Sequence, residues 1–406
     1  MPFENEFASY EPLRRILNNE KVQDFQKRFK VRKSEESEEQ VSEDGLLVKK
    51  SQLALSHWQP DWVLAIDGSY HAVKAKNGFP GAELGYLTLA SVLIFLDKIR
   101  ELEKQEFIDP REFRETEKAS TIESVYPGCN VIIDEEDSAK SSMRKMLFEE
   151  LKNHVIFSEG ETLLDTYEAL LKIKREKNAD AKPPRCPCEL ERDFKYGYGK
   201  YPCSNGQCDK ILYSTDAMRL HELLNPSGTC GEMYGQIMFT LERLWLVHIL
   251  RAFEHKNWLS TLRRIAFIMD GSLAVYSTPS WLAKPISDEL RRINELQKKT
   301  NGQDLIILGI EKSGNFVNHF ADLDMSSEGV KGKLPNETAI LLTDEYIKKN
   351  IIFSESPKPY GLDTYFGRKF LRLNWDIGSL QIWFVTRILN EISQQLLRNS
   401  FQDLQT

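Results

Sequence analysis

The apolar positions of this chain fall into strand-length runs and helix-length stripes that alternate along most of its length. Two of the runs lead into the same triplet. Val63-Leu64-Ala65-Ile66 precedes Asp67-Gly68-Ser69, and Ile265-Ala266-Phe267-Ile268-Met269 precedes Asp270-Gly271-Ser272. Each run has the length and composition of a buried strand. Each aspartate is therefore predicted at a strand end, where the following glycine lets the backbone turn sharply. A return strand is predicted over 70–75, a longer strand running into a helix over 84–96, and a strand over 304–311, Asp-Leu-Ile-Ile-Leu-Gly-Ile-Glu.

Helical stripes are predicted over 10–30, with Leu13, Ile16, Leu17, Val22 and Phe25 on one side, and over 137–154, 161–177, 216–224, 232–255 and 286–299. The stretch 111–131 has no clear period. Strands alternating with helices predict an α/β fold with a mixed sheet flanked by helices. The run Lys33-Ser34-Glu35-Glu36-Ser37-Glu38-Glu39 is too polar to bury and reads as a linker. Pro183-Pro184 opens a short cysteine-rich insert.

Composition narrows this little. With 406 residues, 41% of them hydrophobic, the chain can bury a sizeable core as one large domain or two. A net charge of -7 does not advertise nucleic-acid binding, but a groove needs only local basic charge. No apolar stretch approaches the roughly 18 residues that span a bilayer, so no membrane association is expected. The acidic N-terminus lacks a signal core, and six cysteines suggest thiols or metal ligands rather than a disulfide framework. The expected compartment is the cytoplasm.

Chemistry is expected first at the two Asp-Gly-Ser triplets. One copy alone would read as a hairpin turn. Two carboxylates at the rim of one sheet can converge on a divalent cation, magnesium or manganese, as phosphoester chemistry requires. Glu242 is the third candidate. Its helical neighbours Met238, Phe239, Trp245 and Leu246 are apolar, so its charge needs a cation or a donor. The competing reading is a salt bridge to Arg219 or Arg251. Cys186, Cys188, Cys203 and Cys208 have the donor set of a tetrahedral structural zinc in a zinc-ribbon-like insert. Four inert thiols are the alternative, and Cys230 could replace one ligand. In Ser214-Thr215-Asp216-Ala217-Met218-Arg219-Leu220-His221, a capped helix would pair Asp216 with Arg219, or Arg219 and His221 would meet a phosphate. Lys312 could meet the scissile phosphate as a point charge. Arg368, in the basic-aromatic run Tyr365-Phe366-Gly367-Arg368-Lys369, is a further DNA-contact candidate.

With Asp67-Gly68-Ser69, Glu242 and Asp270-Gly271-Ser272 in this order, the chain resembles the NurA nuclease family over about residues 60–370. The cysteine insert and the Thr-Asp-Ala-x-Arg-x-His stretch are similar to its bacterial branch. The resemblance implies a ribonuclease-H-like fold and cleavage of DNA dependent on manganese or magnesium, with Asp67, Glu242 and Asp270 as catalytic, metal-binding carboxylates. It also implies a homodimer paired with a HerA-type hexameric DNA-translocating ATPase, in DNA-end processing or defence. The corresponding division is a helical segment and linker (1–58), a nuclease domain in two parts (59–180 and 214–370) split by the zinc insert (181–213), and a divergent tail (371–406). The family's late segment, which brings an aromatic residue and a histidine to the site, has no evident counterpart, since the last histidine is His319. That departure sustains an alternative, a catalytically weak DNA-binding adaptor of the ATPase. A third reading, an actin- or sugar-kinase-like phosphotransferase, would need further glycine-rich phosphate loops, and no convincing set is present.

Overall fold

The computed structural model describes residues 16–30, 47–49, 51, 59–76, 78–79, 81–105, 107, 109–177, 197–203, 209–324, 338–367, 370–377 and 380–387. Its centre is a five-stranded sheet of Trp62–Lys74 (β1), Glu83–Phe95 (β2), Glu117–Pro127 (β3), Ile265–Asp270 (β4) and Ile306–Ile310 (β5). The spatial order is β3-β2-β1-β4-β5. The first three strands form an antiparallel meander, while β4 runs parallel to β1 and β5 parallel to β4. This mixed sheet, with an antiparallel half joined to a parallel half, has the ribonuclease-H-like arrangement.

Parallel strands need long crossovers. Between β3 and β4 the chain supplies helices Ala139–Asn153 (α1), Leu163–Lys177 (α2) and Gly231–His255 (α3); Ala283–Asn301 (α4) joins β4 to β5. Helix α3 is apolar nearly all round, burying Met233, Tyr234, Ile237, Leu241, Leu244, Leu246, Val247 and Leu250, as expected of a helix enclosed on several sides. It packs on β1 and β2, and its residues share one core with Ile66, Phe267, Met269 and Ile307 of the sheet. A second, smaller core joins Phe316 and Phe320 of helix Asn315–Asp324 (α5) to Ile340, Leu342, Tyr346 and Ile347. Beside it lies an antiparallel sheet of Leu47–Lys49, Thr338–Leu342, Phe370–Ile377 and Leu380–Arg387.

Several expectations are corrected. The first Asp-Gly-Ser is not a strand end: β1 runs on unbroken for 13 residues, because its far half keeps pairing with β2 up to Lys74–Glu83. No return strand begins at Tyr70; the return is β2. The unassigned stretch contains β3, an edge strand whose outward residues are largely exposed, which blurs its period. The helix expected over 216–224 is instead two 3-10 turns, Ser214–Met218 and Leu220–Leu223, separated by Arg219 in the left-handed region at φ 58°. The N-terminal helix spans Glu20–Arg28. Residues 10–15, the charged linker and the tail beyond 387 lie outside the described residues.

Candidate active site

The parallel pairing of β1 and β4 ends at Ile66 opposite Met269. The next residue on each strand is an aspartate, so Asp67 and Asp270 come side by side where the pairing stops. Behind Asp270 the prediction of a turn holds, with Gly271 at φ 83°, a conformation that suits glycine. Gly68 has a different use. A Cβ there would lie 2.8 Å from Glu242 Oε1 and 2.8 Å from Met238 Cγ. The missing side chain lets helix α3 bring Glu242 against the strand.

These residues line a single cleft of about 440 Å³ with Met238, Phe239, Ser272, Tyr276, Glu311 and Lys312. Its electrostatics are those of crowded carboxylates. Burial, and then the charge of Asp270, hold the Asp67 carboxyl above its ordinary value, partly offset by Lys312. Burial pushes the Glu242 carboxyl up to about 7; Arg243 opposes this, and Asp67 and Asp270 add to it. The Lys312 ammonium lies 3.1 Å from Asp270 Oδ1. Asp67, Asp270 and Glu242, which line this one cleft, are a donor type suited to a hard divalent cation, whose charge would relieve their mutual repulsion.

Glu242, however, is already paired. The fully buried Arg243 guanidinium donates to its Oε2, so the partner is neither Arg219 nor Arg251. Among the described residues no three His, Cys, Asp or Glu side chains are grouped so as to hold a metal ion. Arg243 also donates to the carbonyls of Phe239 (3.2 Å) and Ser272 (2.9 Å) and stacks 3.3 Å from the centre of the Phe239 ring. A chain of hydroxyls leaves the cleft: Ser272 Oγ and Tyr276 Oη are 2.9 Å apart, and Tyr276 donates to Tyr365 over 2.8 Å.

The other predicted site residues lie elsewhere or cannot be placed. Arg219 forms a two-pronged bond to Glu222, at 3.0 and 2.6 Å, rather than to Asp216. Asp216 is taken by Arg144, at 2.8 and 2.6 Å, and by the Tyr213 amide. His221 is buried beside that pair, its imidazole 3.8 Å from Asp216, which removes it from any phosphate. Neither Arg219 nor His221 lines the cleft. His319 bonds Tyr346 at 2.8 Å in the second core. Cys203 is buried at the end of the short hairpin of Lys200–Pro202 and Ile211–Tyr213; Cys186, Cys188, Cys208 and Arg368 lie outside the described residues. Arg243, Tyr276, Phe239 and Glu311 were missed. The signal available was adjacency to predicted residues, since Arg243 follows Glu242, Tyr276 lies four residues beyond Ser272 and Glu311 precedes Lys312.

Among the described residues no helix is long and apolar enough to cross a membrane. No match was found among curated proteins. A solved structure described as a crystal structure of NurA with manganese is similar at 10% identity and a TM-score of 0.22, over 96% of this chain and 90% of that one; likeness at that level carries no argument. The family model for the NurA domain matches residues 62–373, a span holding both Asp-Gly-Ser triplets, helix α3 and the whole cleft, and the chain accordingly belongs to the NurA family, a family of nucleases.

Proposed function

We propose that this chain is a metal-dependent DNA nuclease whose cleft is built on Asp67, Glu242 and Asp270. The observation that carries the reading is the meeting of Asp67 and Asp270 at the end of the β1–β4 pairing, with Glu242 buried against them across Gly68. These three side chains would hold manganese or magnesium, which when bound supplies a Lewis acid and an activated water at a phosphodiester. Lys312, exposed beside Asp270, places positive charge where a DNA phosphate would approach and charge builds in the transition state. Tyr276 and Phe239, whose rings stack 5.4 Å apart, line the same cleft.

Membership of the NurA family supports two further proposals: a homodimer, and cooperation with a HerA-type hexameric ATPase in DNA-end processing or defence. A structural zinc on Cys186, Cys188, Cys203 and Cys208 is likewise proposed, from donor type and spacing.

One observation favours a second reading. Glu242 is bonded to Arg243 rather than pooled with the aspartates, as in a catalytically weak DNA-binding adaptor of the ATPase. Cleavage of end-labelled linear DNA with manganese, with and without the ATPase, separates the two. Cutting by the wild type and none by Asp270→Asn supports the nuclease. Failure of both to cut, with DNA binding retained, supports the adaptor.

A further inference from the structure

We propose that Arg243 is a positioning residue, a buried fork that holds the Glu242 carboxylate and the Asp270-Gly271-Ser272 turn in one fixed arrangement. The proposal rests on the metal-site reading above and deepens it. Arg243 is fully buried, yet its hydrogen bonds go to residues that line the cleft. One terminal nitrogen donates to Glu242 and to the Phe239 carbonyl. The other reaches the far side of the turn, donating to the Ser272 carbonyl at 2.9 Å and lying 3.4 Å from that of Asp270. The Phe239 ring against its face fixes the plane. Gly271 completes the fit, because a Cβ there would lie 3.3 Å from the same terminal nitrogen.

Helix α3 and strand β4 supply different members of the carboxylate set, Glu242 and Asp270. Arg243 ties them with a rigid, planar group. A lysine at this position would keep the buried charge but offers a single point of attachment. It could satisfy Glu242 or the turn, not both in the same geometry. Residues that orient metal ligands in this way typically contribute 10- to 100-fold to metal affinity or activity.

Manganese binding, followed by titration calorimetry, and single-turnover DNA cleavage test this in wild type, Arg243→Lys, Arg243→Met, Asp270→Asn and Arg144→Met. Arg144 is a buried arginine that does not line the cleft. Both Arg243 variants are expected to bind manganese at least about tenfold more weakly and to cleave correspondingly slower, with DNA binding in calcium unchanged. Arg144→Met should melt earlier but bind manganese as wild type does. Arg243→Lys decides the matter. Wild-type manganese affinity in that variant would reduce Arg243 to a countercharge, and failure of that variant to fold would make its role structural; either overturns the proposal. Manganese binding by wild type no tighter than by Asp270→Asn would instead overturn the metal-site reading itself.

Discussion

Among the described residues two acid–arginine pairs are buried on both sides, and they differ in how completely each acid is satisfied. Asp216 receives two bonds from Arg144 and a third from the Tyr213 amide, and Arg144 reaches on to the Ile211 carbonyl at 2.9 Å. That network is closed. It fastens the base of the cysteine insert to α1 and presents nothing to solvent. Glu242 shares Arg243 with backbone carbonyls, faces two further carboxylates across a cleft, and is pushed up to about 7. A closed pair is costly to break; an acid left short of positive charge beside an opening is a candidate site for a cation or a proton.

The sharpest way to break this comparison is to remove one charge from each region. Asp270→Asn removes a carboxylate from the cleft without changing its volume. If that group holds the cation, the change should cost about 4 kcal/mol of transition-state stabilisation, roughly a 10³-fold loss of manganese-dependent cleavage, with melting little altered. A variant within tenfold of wild type in single-turnover cleavage would remove Asp270 from the site. Arg144→Met should do the opposite. It strands Asp216 in the interior, which should cost about 3–5 kcal/mol in urea unfolding, while manganese affinity stays at the wild-type level. A loss under about 1 kcal/mol would mean that Asp216 finds other partners and that the network is not closed.

The same two regions show what was legible beforehand. The cleft's carboxylates could be read because each sits in a local pattern: Asp67 and Asp270 close apolar runs, and Glu242 interrupts an apolar helical stripe. For Arg243 the pattern offers only its place next to Glu242, a weak signal because adjacent residues on a helix do not face one another; the length of its side chain, folded back over Phe239, brings the guanidinium to Glu242. The 216–224 stretch departs from its predicted helix for a related reason. Spacing i,i+3 pairs Asp216 with Arg219 only on a continuous helix, and the left-handed conformation of Arg219 swings its side chain to Glu222. The true partner of Asp216, on α1, is a matter of tertiary packing that no local pattern records. The pattern predicts a shorter β1 because Asp-Gly-Ser is turn chemistry elsewhere; here glycine serves a close approach within a strand.

That close approach gives a test of intermediate size. Gly68→Ala introduces a methyl group 2.8 Å from both Glu242 Oε1 and Met238 Cγ. The helix and strand must move apart, which costs about 1–3 kcal/mol for an overpacked contact and displaces Glu242 from the aspartates. Manganese affinity should fall along with stability, whereas Gly78→Ala, whose added Cβ would meet only Ala82 at 3.7 Å, should change neither. Unchanged metal binding in Gly68→Ala would detach Glu242 from the cation site.

The smallest effect separates the two regions by the sign of their pH dependence. Burial holds His221, beside Asp216 and Arg144, down to about 4, and does the same for His248, whose Nδ1 pairs with Thr166. An unfolded histidine takes up its proton near pH 6.5. Between pH 6.5 and about 4 the unfolded state therefore binds more protons, so each histidine contributes stability that is present above 6.5 and lost on acidification, roughly 1.4 kcal/mol by pH 5.5. Glu242 acts in the opposite sense. Its raised value lets the folded, metal-free protein keep a proton that the unfolded chain releases, so its contribution improves as pH falls through about 7. Urea unfolding at pH 8 and pH 5.5 therefore gives a blend of both signs in the wild type, and the difference between wild type and His221→Asn isolates one. The variant should lose less stability than wild type between the two pH values; an equal loss would mean that His221 is already protonated in the folded protein and that the pair beside it is open to water after all.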